Sequence, residues 1–172
     1  MIVWLSGVSG VGKTTIGEQL QINLKWHYSA VYFLDADMCR KNWWPELGLS
    51  NRDRTENMLR MARLASFLSR KSNLVIVSCI APIGPIREEA LSICRGSATT
   101  KHIYLHTPLI TRLNRDPKGL YYRAVIGEIE GLTGYDGRYD IPTNADLSIN
   151  TSKHSVNEAI DQIYRTIGII SP

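Results

Sequence analysis

The chain's 172 residues suffice for one globular domain with its own core and are too few for two ordinary ones. Its composition, 44% hydrophobic and 21% charged, is that of a soluble globular protein and excludes a disordered chain, and no apolar run approaches the roughly 20 residues that span a bilayer. The net charge of +4 is scattered without a basic stripe, which argues against a nucleic-acid-binding protein and suits small anionic substrates.

Short β-branched runs alternate with longer helical patterns, and this alternation predicts βαβ units. In chain order we predict strand 2–5, helix 13–26, strand 30–34, helix 51–70, strand 74–78, helix 85–94, strand 102–105, strand 147–149 and helix 155–167. Three of the strands are nearly continuous apolar runs, as strands buried in a parallel sheet should be. The predicted fold is therefore α/β, with a five-stranded parallel sheet and helices on both faces.

The helix at 51–70 has the clearest ends and faces. Ser50, with Asp53 three residues on, resembles a capping box that would satisfy free N–H groups at the helix start. Four apolar residues recur at helical spacing and should face the sheet, namely Met61, Leu64, Ala65 and Leu68. Arg54 and Asn57, at i and i+3, should lie together on the surface of the first turns.

Residues 109–144, the lid segment, form a long stretch that is rich in charge, Gly and Tyr and only weakly periodic. In a compact domain such a stretch is usually functional, and a mobile lid is its usual form. The sequence contains no internal repeat and no low-complexity linker. It therefore predicts a single domain, residues 1–172, with an inserted lid.

The cysteines indicate the compartment. Cys39, Cys79 and Cys94 are odd in number and form no C-x-x-C pair, so we expect neither a disulfide framework nor a zinc site. Met1 leads directly into the strand-like run 2–5, which leaves no room for a signal peptide. The sequence thus predicts a cytoplasmic protein with three buried or half-buried thiols.

Residues 7–14 read G-V-S-G-V-G-K-T and match the phosphate-loop pattern G-x-x-x-x-G-K-[ST], directly after a strand and at the start of a helix. The glycines let successive N–H groups point inward as a nest for an anion, and the helix N-terminus adds positive potential. Lys13 would reach the β- and γ-phosphates of ATP, and the Thr14 hydroxyl would ligate Mg²⁺. The predicted nucleotide-binding residues are Gly7, Ser9, Gly10, Gly12, Lys13, Thr14 and Thr15.

The phosphate loop by itself does not separate a kinase from a GTPase or a motor. The chain has no N-K-x-D motif to read guanine, and motors are generally larger than one short domain. Its size and the lid segment favour a small-molecule kinase. The predicted fold class is a P-loop NTPase of the nucleotide-kinase type.

Two carboxylates and an arginine, Asp35, Asp37 and Arg40, follow the second predicted strand. Ligands of open α/β sheets bind beyond the carboxyl ends of the strands, so these groups should face the phosphate loop. Asp37 could hold Mg²⁺ through water or accept a proton from a substrate hydroxyl, and Arg40 could neutralise an acceptor phosphate. Asp35 could serve the site or act only as a cap or salt-bridge partner, and the sequence leaves both open.

The sequence resembles the adenylyl-sulfate kinase (APS kinase) family. The resemblance runs through the phosphate loop and residues 34–40, 47–57 and 75–87, then through 115–121 and 127–136, so it covers nearly the whole chain. The string D-R-T-E-N, which begins at Asp53, and the string R-D-P-K-G-L-Y, which begins at Arg115, are far more specific than the phosphate loop.

The resemblance implies that ATP phosphorylates the 3′-hydroxyl of adenylyl sulfate, giving 3′-phosphoadenylyl sulfate and ADP. It implies Lys13 and Asp37 as catalytic residues, Thr14 and Asp37 at the metal, and Arg115 beside the nucleotide. The implied acceptor-binding residues are Asp37, Arg40, Leu49, Arg54, Asn57, Ile80, Pro82, Lys118 and Leu132. The lid segment would close over both substrates and exclude water, and a homodimer is expected by analogy alone.

The chain departs from the family pattern at several positions. Ala81 stands where the family usually has the serine of an I-S-P string, which rules out a phosphoserine intermediate here, although direct in-line transfer needs none. Ala36 and Met38 replace residues of a G-D-N string, which should adjust the backbone near Asp37.

Two further departures concern the acceptor base. Leu49 and Leu132 replace phenylalanines that sandwich the acceptor adenine in the family, and base–aromatic stacking contributes ~1–3 kcal/mol per base. An alternative is therefore a kinase of the same family that acts on another nucleotide derivative, such as a cytidine diphosphate (phosphoramidate) compound. Trp43 and Trp44 could supply the missing aromatic surface or simply pack on a surface helix.

A nucleotide-binding regulatory protein without catalysis is a third possibility, from a different class. It is disfavoured because a binding module would not need Lys13, Thr14, Asp37, Arg54 and Asn57 together.

Overall fold

The computed structural model describes residues 1–70 and 73–169. Residues 71–72 and 170–172, which belong to the predicted domain 1–172, lie outside the described part. The elements in chain order are β1 (Ile2–Ser6), α1 (Lys13–Leu24), β2 (Val31–Asp35), α2 (Ala36–Trp43), α3 (Asn51–Leu68), β3 (Leu74–Cys79), α4 (Gly84–Arg95), β4 (Thr100–His106), α5 (Leu109–Arg115), α6 (Leu120–Val125), β5 (Leu147–Asn150) and α7 (Val156–Ile167).

The strands form a five-stranded sheet in the order β2-β3-β1-β4-β5, and each neighbouring pair is parallel. β1 lies in the middle, with Leu5 opposite Ser78 of β3 and Ile103 of β4. Every residue of β1 and β3 is buried, because these strands are covered on both faces, and both are accordingly rich in apolar residues. The predicted five-stranded parallel sheet is confirmed.

Helices cover both faces of this sheet. On one face Val3 and Leu5 belong to a core that α1 and α7 complete. On the other face Ile2 and Trp4 belong to a core that includes residues of α3 and α4. Successive residues of a strand point to opposite faces, so the central strand β1 contributes to both cores in turn.

The predicted inner face of α3 is confirmed. Met61 and Ala65 are fully buried, while Leu64 and Leu68 are partly buried against the same core. The start of the helix differs from a reciprocal capping box: the Ser50 hydroxyl accepts the N–H of Asp53 and donates to the carboxylate of the same residue. The helix is therefore capped at Ser50 as predicted, with a different second bond.

The sequence-based prediction did not include three of the helices, α2, α5 and α6. α2 follows β2 without a loop, because the Asp35 carboxylate accepts the N–H groups of Asp37 and Met38 and so starts the helix at once. Cys39 is its one buried residue, so the helix shows little hydrophobic periodicity. α5 and α6 lie in the lid segment, which is thus partly helical.

All three cysteines are buried with free thiols, which confirms the predicted burial. Burial raises the pKa of Cys39 and Cys94 to about 12 and that of Cys79 to about 11. Among the described residues, no helix combines the length and the apolar character needed to cross a membrane.

Candidate active site

The phosphate loop leaves the carboxyl end of β1 and enters α1 with the backbone that an anion nest requires. Gly12, the residue before α1, has a φ of 91° and no side-chain cap, so the first N–H groups of the helix stay available to a ligand. Gly7 has a φ of 140°, and a Cβ there would stand 2.2 Å from the carbonyl oxygen of Leu105. Only glycine therefore fits this close approach between the loop and β4.

Lys13 is folded back onto the loop that precedes it. Its Nζ donates hydrogen bonds to the carbonyl oxygens of Gly7 (2.7 Å) and Val8 (2.9 Å). Burial lowers the pKa of Lys13 to about 8, and the positive charge of Lys118 acts in the same direction. The ammonium group is thus held at the mouth of the nest, where a phosphate would relieve its desolvation.

Asp35 caps α2 and also contacts the phosphate loop. One carboxylate oxygen caps α2, and the other, Oδ2, accepts hydrogen bonds from the hydroxyls of Thr14 (3.0 Å) and Ser78 (3.1 Å). A carboxylate therefore lies directly beside the hydroxyl that is predicted to ligate Mg²⁺. This pair suits a magnesium site completed by phosphate oxygens and water. Among the described residues, no three or more His, Cys, Asp or Glu side chains cluster as a metal site made of protein ligands alone.

The Asp37 carboxylate points toward two positively charged side chains and not toward Thr14. Its Oδ1 accepts a hydrogen bond from Arg40 (2.7 Å), and its Oδ2 accepts one from Lys118 of the lid segment (2.5 Å). Burial alone would raise the pKa of this carboxyl, but the bonds from Lys118 and Arg40 hold the pKa below its usual range. Asp37 is therefore ionised at neutral pH, and it links the lid segment to α2.

Asn57 does not lie on the surface as predicted, and Arg54 is exposed only in part. Asn57 is buried, with its Nδ2 donating to the carbonyl oxygen of Ala36 and its Oδ1 without a partner. Arg54 is half-buried and donates to the carbonyl oxygen of Leu49 (2.8 Å) and the hydroxyl of Thr133 (3.2 Å). Both side chains line the cavity described below.

The turn between β3 and α4 has a strained backbone. Ala81 is fully buried with a φ of 49°, a left-handed conformation that non-glycine residues seldom adopt. The Arg87 guanidinium donates to the Ala81 carbonyl oxygen (2.7 Å), and the Asp140 N–H donates to that of Pro82 (2.8 Å). Buried contacts from α4 and the lid segment hold this turn in place, and Ile80 and Pro82 face the cavity.

The R-D-P-K-G-L-Y string anchors the lid segment. Arg115 donates to the hydroxyl (3.0 Å) and carbonyl oxygen (2.7 Å) of Thr151 and lies 3.4 Å from the Gly10 carbonyl oxygen. The Asp116 carboxylate accepts the first N–H groups of α6. Tyr121 donates to the carbonyl oxygen of Ser9 (2.9 Å).

These groups surround a cavity of about 1050 Å³, at the upper end of the range for ligand sites and large enough for two small molecules. The predicted residues that line it are Ser9, Gly10, Gly12, Lys13, Thr14, Thr15, Asp37, Arg40, Leu49, Arg54, Asn57, Ile80, Pro82, Arg115, Lys118 and Leu132. Gly7 is the exception, because it lies beneath the loop against β4.

Trp43 and Trp44 lie outside the lining of this cavity. Trp43 is exposed and packs edge-on against Trp44, with ring centroids 6.0 Å apart, and Arg60 lies over the Trp44 ring. The structure thus favours packing on a surface helix over a role in holding the acceptor base.

Sequence reasoning missed several groups at the site. Ser78, Arg123 and Glu130 line the cavity, and no motif marked them. Tyr121 belongs to the R-D-P-K-G-L-Y string but had no predicted role, and its partner Arg112 had no sequence signal.

A parallel sheet, an anion nest at a helix N-terminus, and a second group of charged residues across one cavity define a P-loop kinase. The family model described as adenylylsulphate kinase matches residues 1–150, and the chain belongs to this family. The predicted family resemblance is confirmed.

Individual relatives are similar to this chain over nearly its full length. The chain is 38% identical to the probable adenylyl-sulfate kinase of Pyrococcus abyssi over 163 residues, which are 95% of this chain and 92% of that protein. It is also 38% identical to the adenylyl-sulfate kinase of Picosynechococcus sp. over 173 residues, 99% of this chain and 96% of that one. The APS kinase of Mycobacterium tuberculosis, solved in complex with AMPPNP and APS, superposes with a TM-score of 0.90 at 32% identity, covering 97% of this chain and 96% of the other.

Proposed function

We propose that this protein transfers the γ-phosphoryl group of ATP to the 3′-hydroxyl of adenylyl sulfate, giving 3′-phosphoadenylyl sulfate and ADP. One observation carries the proposal: a single cavity holds the phosphate loop and, facing it, the charged residues Asp37, Arg40 and Lys118. The family to which the chain belongs supports the choice of acceptor.

The donor half of the site binds the triphosphate. The loop N–H groups and the Lys13 ammonium would hold the β- and γ-phosphates, so that Lys13 exchanges its bonds to Gly7 and Val8 for phosphate oxygens. Thr14 and Asp35 would hold Mg²⁺, which when bound neutralises the charge that develops on the transferring group. Arg115, beside the Gly10 carbonyl, would close this half of the site.

The acceptor half orients the hydroxyl. The ionised Asp37 carboxylate would accept a hydrogen bond from the 3′-hydroxyl and take its proton as the phosphoryl group arrives. Both oxygens of Asp37 are bonded to Arg40 and Lys118, so these cations lie within reach of the anionic groups that the acceptor brings. A charge-assisted hydrogen bond of this kind contributes ~1.5–3 kcal/mol.

The acceptor base would lie between the segments that carry Leu49 and Leu132. Arg54 joins these segments by bonding the Leu49 carbonyl oxygen and the hydroxyl of Thr133, next to Leu132. Leucine offers an apolar surface without an aromatic ring face, so the site would bind a base less tightly and with less preference for purines. A same-family kinase acting on a cytidine diphosphate derivative is the second candidate for this reason.

Turnover with parallel acceptors tests the proposal. ADP release from ATP is measured with adenylyl sulfate, with a cytidine diphosphate derivative, and without an acceptor. We expect the highest kcat/KM with adenylyl sulfate, and a rate no higher than the ATP-only background would refute this assignment. Lys13→Ala and Asp37→Ala should abolish turnover, whereas the exposed control substitutions Lys25→Ala and Lys41→Ala should leave it unchanged.

Location and assembly are proposed by extension from the family. We propose that the chain acts in the cytoplasm on a small-molecule nucleotide, as one domain with a mobile lid, and that it forms a homodimer. Light scattering on the purified protein measures the last point, and a mass equal to one chain of 19.4 kDa would contradict it.

A further inference from the structure

Tyr121 links the lid segment to the phosphate loop through a buried hydroxyl. Its side chain is fully buried although α6 is a short helix of the lid segment. The hydroxyl donates to the carbonyl oxygen of Ser9 (2.9 Å) and accepts a hydrogen bond from Arg112 (3.0 Å). The hydroxyl therefore acts both as a donor, toward the phosphate loop, and as an acceptor, toward the lid segment.

Arg112 extends this link to a second part of the lid segment. The same guanidinium nitrogen that bonds Tyr121 also donates to the carbonyl oxygen of Gly134 (2.8 Å). The guanidinium lies over the Tyr121 ring, 5.6 Å from its centroid. Tyr135 packs edge-on against the same ring, with the two ring centroids 6.3 Å apart. Arginine and the two tyrosines thus form one packed unit between α5, α6 and the turn at 131–137.

The turn at 131–137 touches both halves of the active site. Gly134 approaches the phosphate loop so closely that a Cβ there would stand 2.4 Å from a methyl carbon of Val8. On its other side, Thr133 accepts the hydrogen bond from Arg54, and Leu132 lines the acceptor part of the cavity. Backbone hydrogen bonds within the turn, from the Gly137 N–H to the Leu132 carbonyl oxygen and from the Gly134 N–H to the Gly137 carbonyl oxygen, hold it together as one unit.

We propose that Tyr121 and Arg112 are positioning residues that hold the turn at 131–137 against the phosphate loop. Nucleotide bound at the loop would then restrict the motion of this turn, which carries Leu132 on the acceptor side of the cavity. The assignment rests on the proposed function insofar as the loop binds ATP and the turn faces the acceptor. Neither residue touches the reacting atoms, and their effect passes through Ser9 and Gly134.

Hydrogen–deuterium exchange of the segment 131–137 tests this link without using the acceptor. Exchange is followed in wild type, Tyr121→Phe and the matched control Tyr122→Phe, each with and without AMPPNP. Tyr122 is the neighbouring residue and is exposed, whereas phenylalanine at 121 keeps the buried ring and removes only the hydroxyl. We expect AMPPNP to slow exchange of 131–137 by about tenfold in wild type and Tyr122→Phe, and by less than about threefold in Tyr121→Phe.

The outcomes are distinguishable. If AMPPNP protects no segment of the wild type, including the phosphate loop, the proposed ATP-dependent function fails. If it protects the phosphate loop but not 131–137, or protects 131–137 equally in Tyr121→Phe, the positioning role is refuted. A lower melting temperature of Tyr121→Phe with unchanged protection would mean that the hydroxyl only stabilises the fold. A second variant, Arg112→Met, removes the hydrogen bonds from Arg112 to the Tyr121 hydroxyl and to the Gly134 carbonyl oxygen. It should reproduce the loss of protection.

Discussion

Burial lowers the pKa of Lys13, and this shift affects how the residue responds to a bound phosphate. Its ammonium group donates to the carbonyl oxygens of Gly7 and Val8, and burial lowers its pKa to about 8. Bringing negatively charged phosphate oxygens next to this group favours its charged form and raises the pKa again. Protonation and nucleotide binding are therefore linked at this residue.

We expect AMPPNP binding to take up a proton at about pH 8.5, where the free Lys13 is partly deprotonated and the bound one is charged. Affinity should accordingly fall as the pH rises through the pKa of the free protein. Calorimetry in buffers of different ionisation enthalpy measures the proton count directly. Binding at this pH without proton uptake would contradict the link.

The two neighbouring aspartates differ in what they contact, and a pair of substitutions separates their roles. Asp35→Asn should raise the Mg²⁺ concentration for half-maximal activity by roughly 10–100-fold, because it removes a charged oxygen beside Thr14. Asparagine is itself a good N-cap, so α2 should be retained. The matched change Asp37→Asn should lower kcat by ~10²–10⁴ without this shift.

Magnesium titrations of both variants decide between two metal assignments. The family resemblance predicts Thr14 and Asp37 at the metal, whereas the hydrogen bonds bring Asp35 to Thr14 and turn Asp37 toward Lys118 and Arg40. If only Asp37→Asn shifts the Mg²⁺ requirement, the assignment from the sequence is correct and the one from the contacts is wrong.

Among the elements, α1 shows where packing overrides helix propensity. Gly17 lies inside this helix, where alanine would normally be favoured by about 1 kcal/mol. A Cβ at this position would stand 2.3 Å from the ring of Phe33 in β2. The glycine lets helix and strand approach closely, and this contact positions the phosphate loop above the sheet.

Gly17→Ala should therefore lower the free energy of unfolding by ~1–3 kcal/mol, the range for overpacking. The matched control is Gly96→Ala after α4, where φ is −66° and the nearest atom to an added Cβ lies at 3.5 Å. That change should be neutral or stabilising by ~0.4–1 kcal/mol. Urea unfolding of both variants measures the difference, and a Gly17→Ala variant as stable as wild type would refute the packing argument.

For the molecule as a whole, the active site is a product of strand order. β1 lies between β3 and β4, so the chain leaves β1 toward β2 on one side and returns to β4 on the other. A crevice forms where the direction of winding changes, and the phosphate loop, Asp35 and the β3–α4 turn all open into it. The lid segment then covers this edge through Lys118 and Tyr121.

Because the ligand would contact several elements at once, nucleotide binding should stabilise the whole fold. AMPPNP at 100 times its Kd should add about 2.7 kcal/mol to the free energy of unfolding and raise the Tm by roughly 5–10 °C. Far-UV circular dichroism and tryptophan fluorescence should report one coincident transition, as expected of a single domain. Lys13→Ala should lose the AMPPNP-induced shift, and a retained shift would mean that the ligand binds elsewhere.

Much of this site was predictable because its chemistry is local in the chain. The phosphate loop needs eight consecutive residues between a strand and a helix, and the strands themselves are short apolar runs. Of the predicted site residues, all but Gly7 line the cavity. Helix α2 was missed because a side-chain cap and not a periodic pattern starts it.

The sequence by itself determined the α/β fold, the phosphate loop and the family. Only the tertiary structure decided that Asp35 contacts Thr14, that Asn57 is buried in the cavity, and that Gly17 must stay small. Tyr121 and Ser9 are 112 positions apart, and no periodicity or spacing relates residues so distant. Their contact exists because parallel strands bring the ends of separate βα units to one edge of the sheet, where the lid segment meets the phosphate loop.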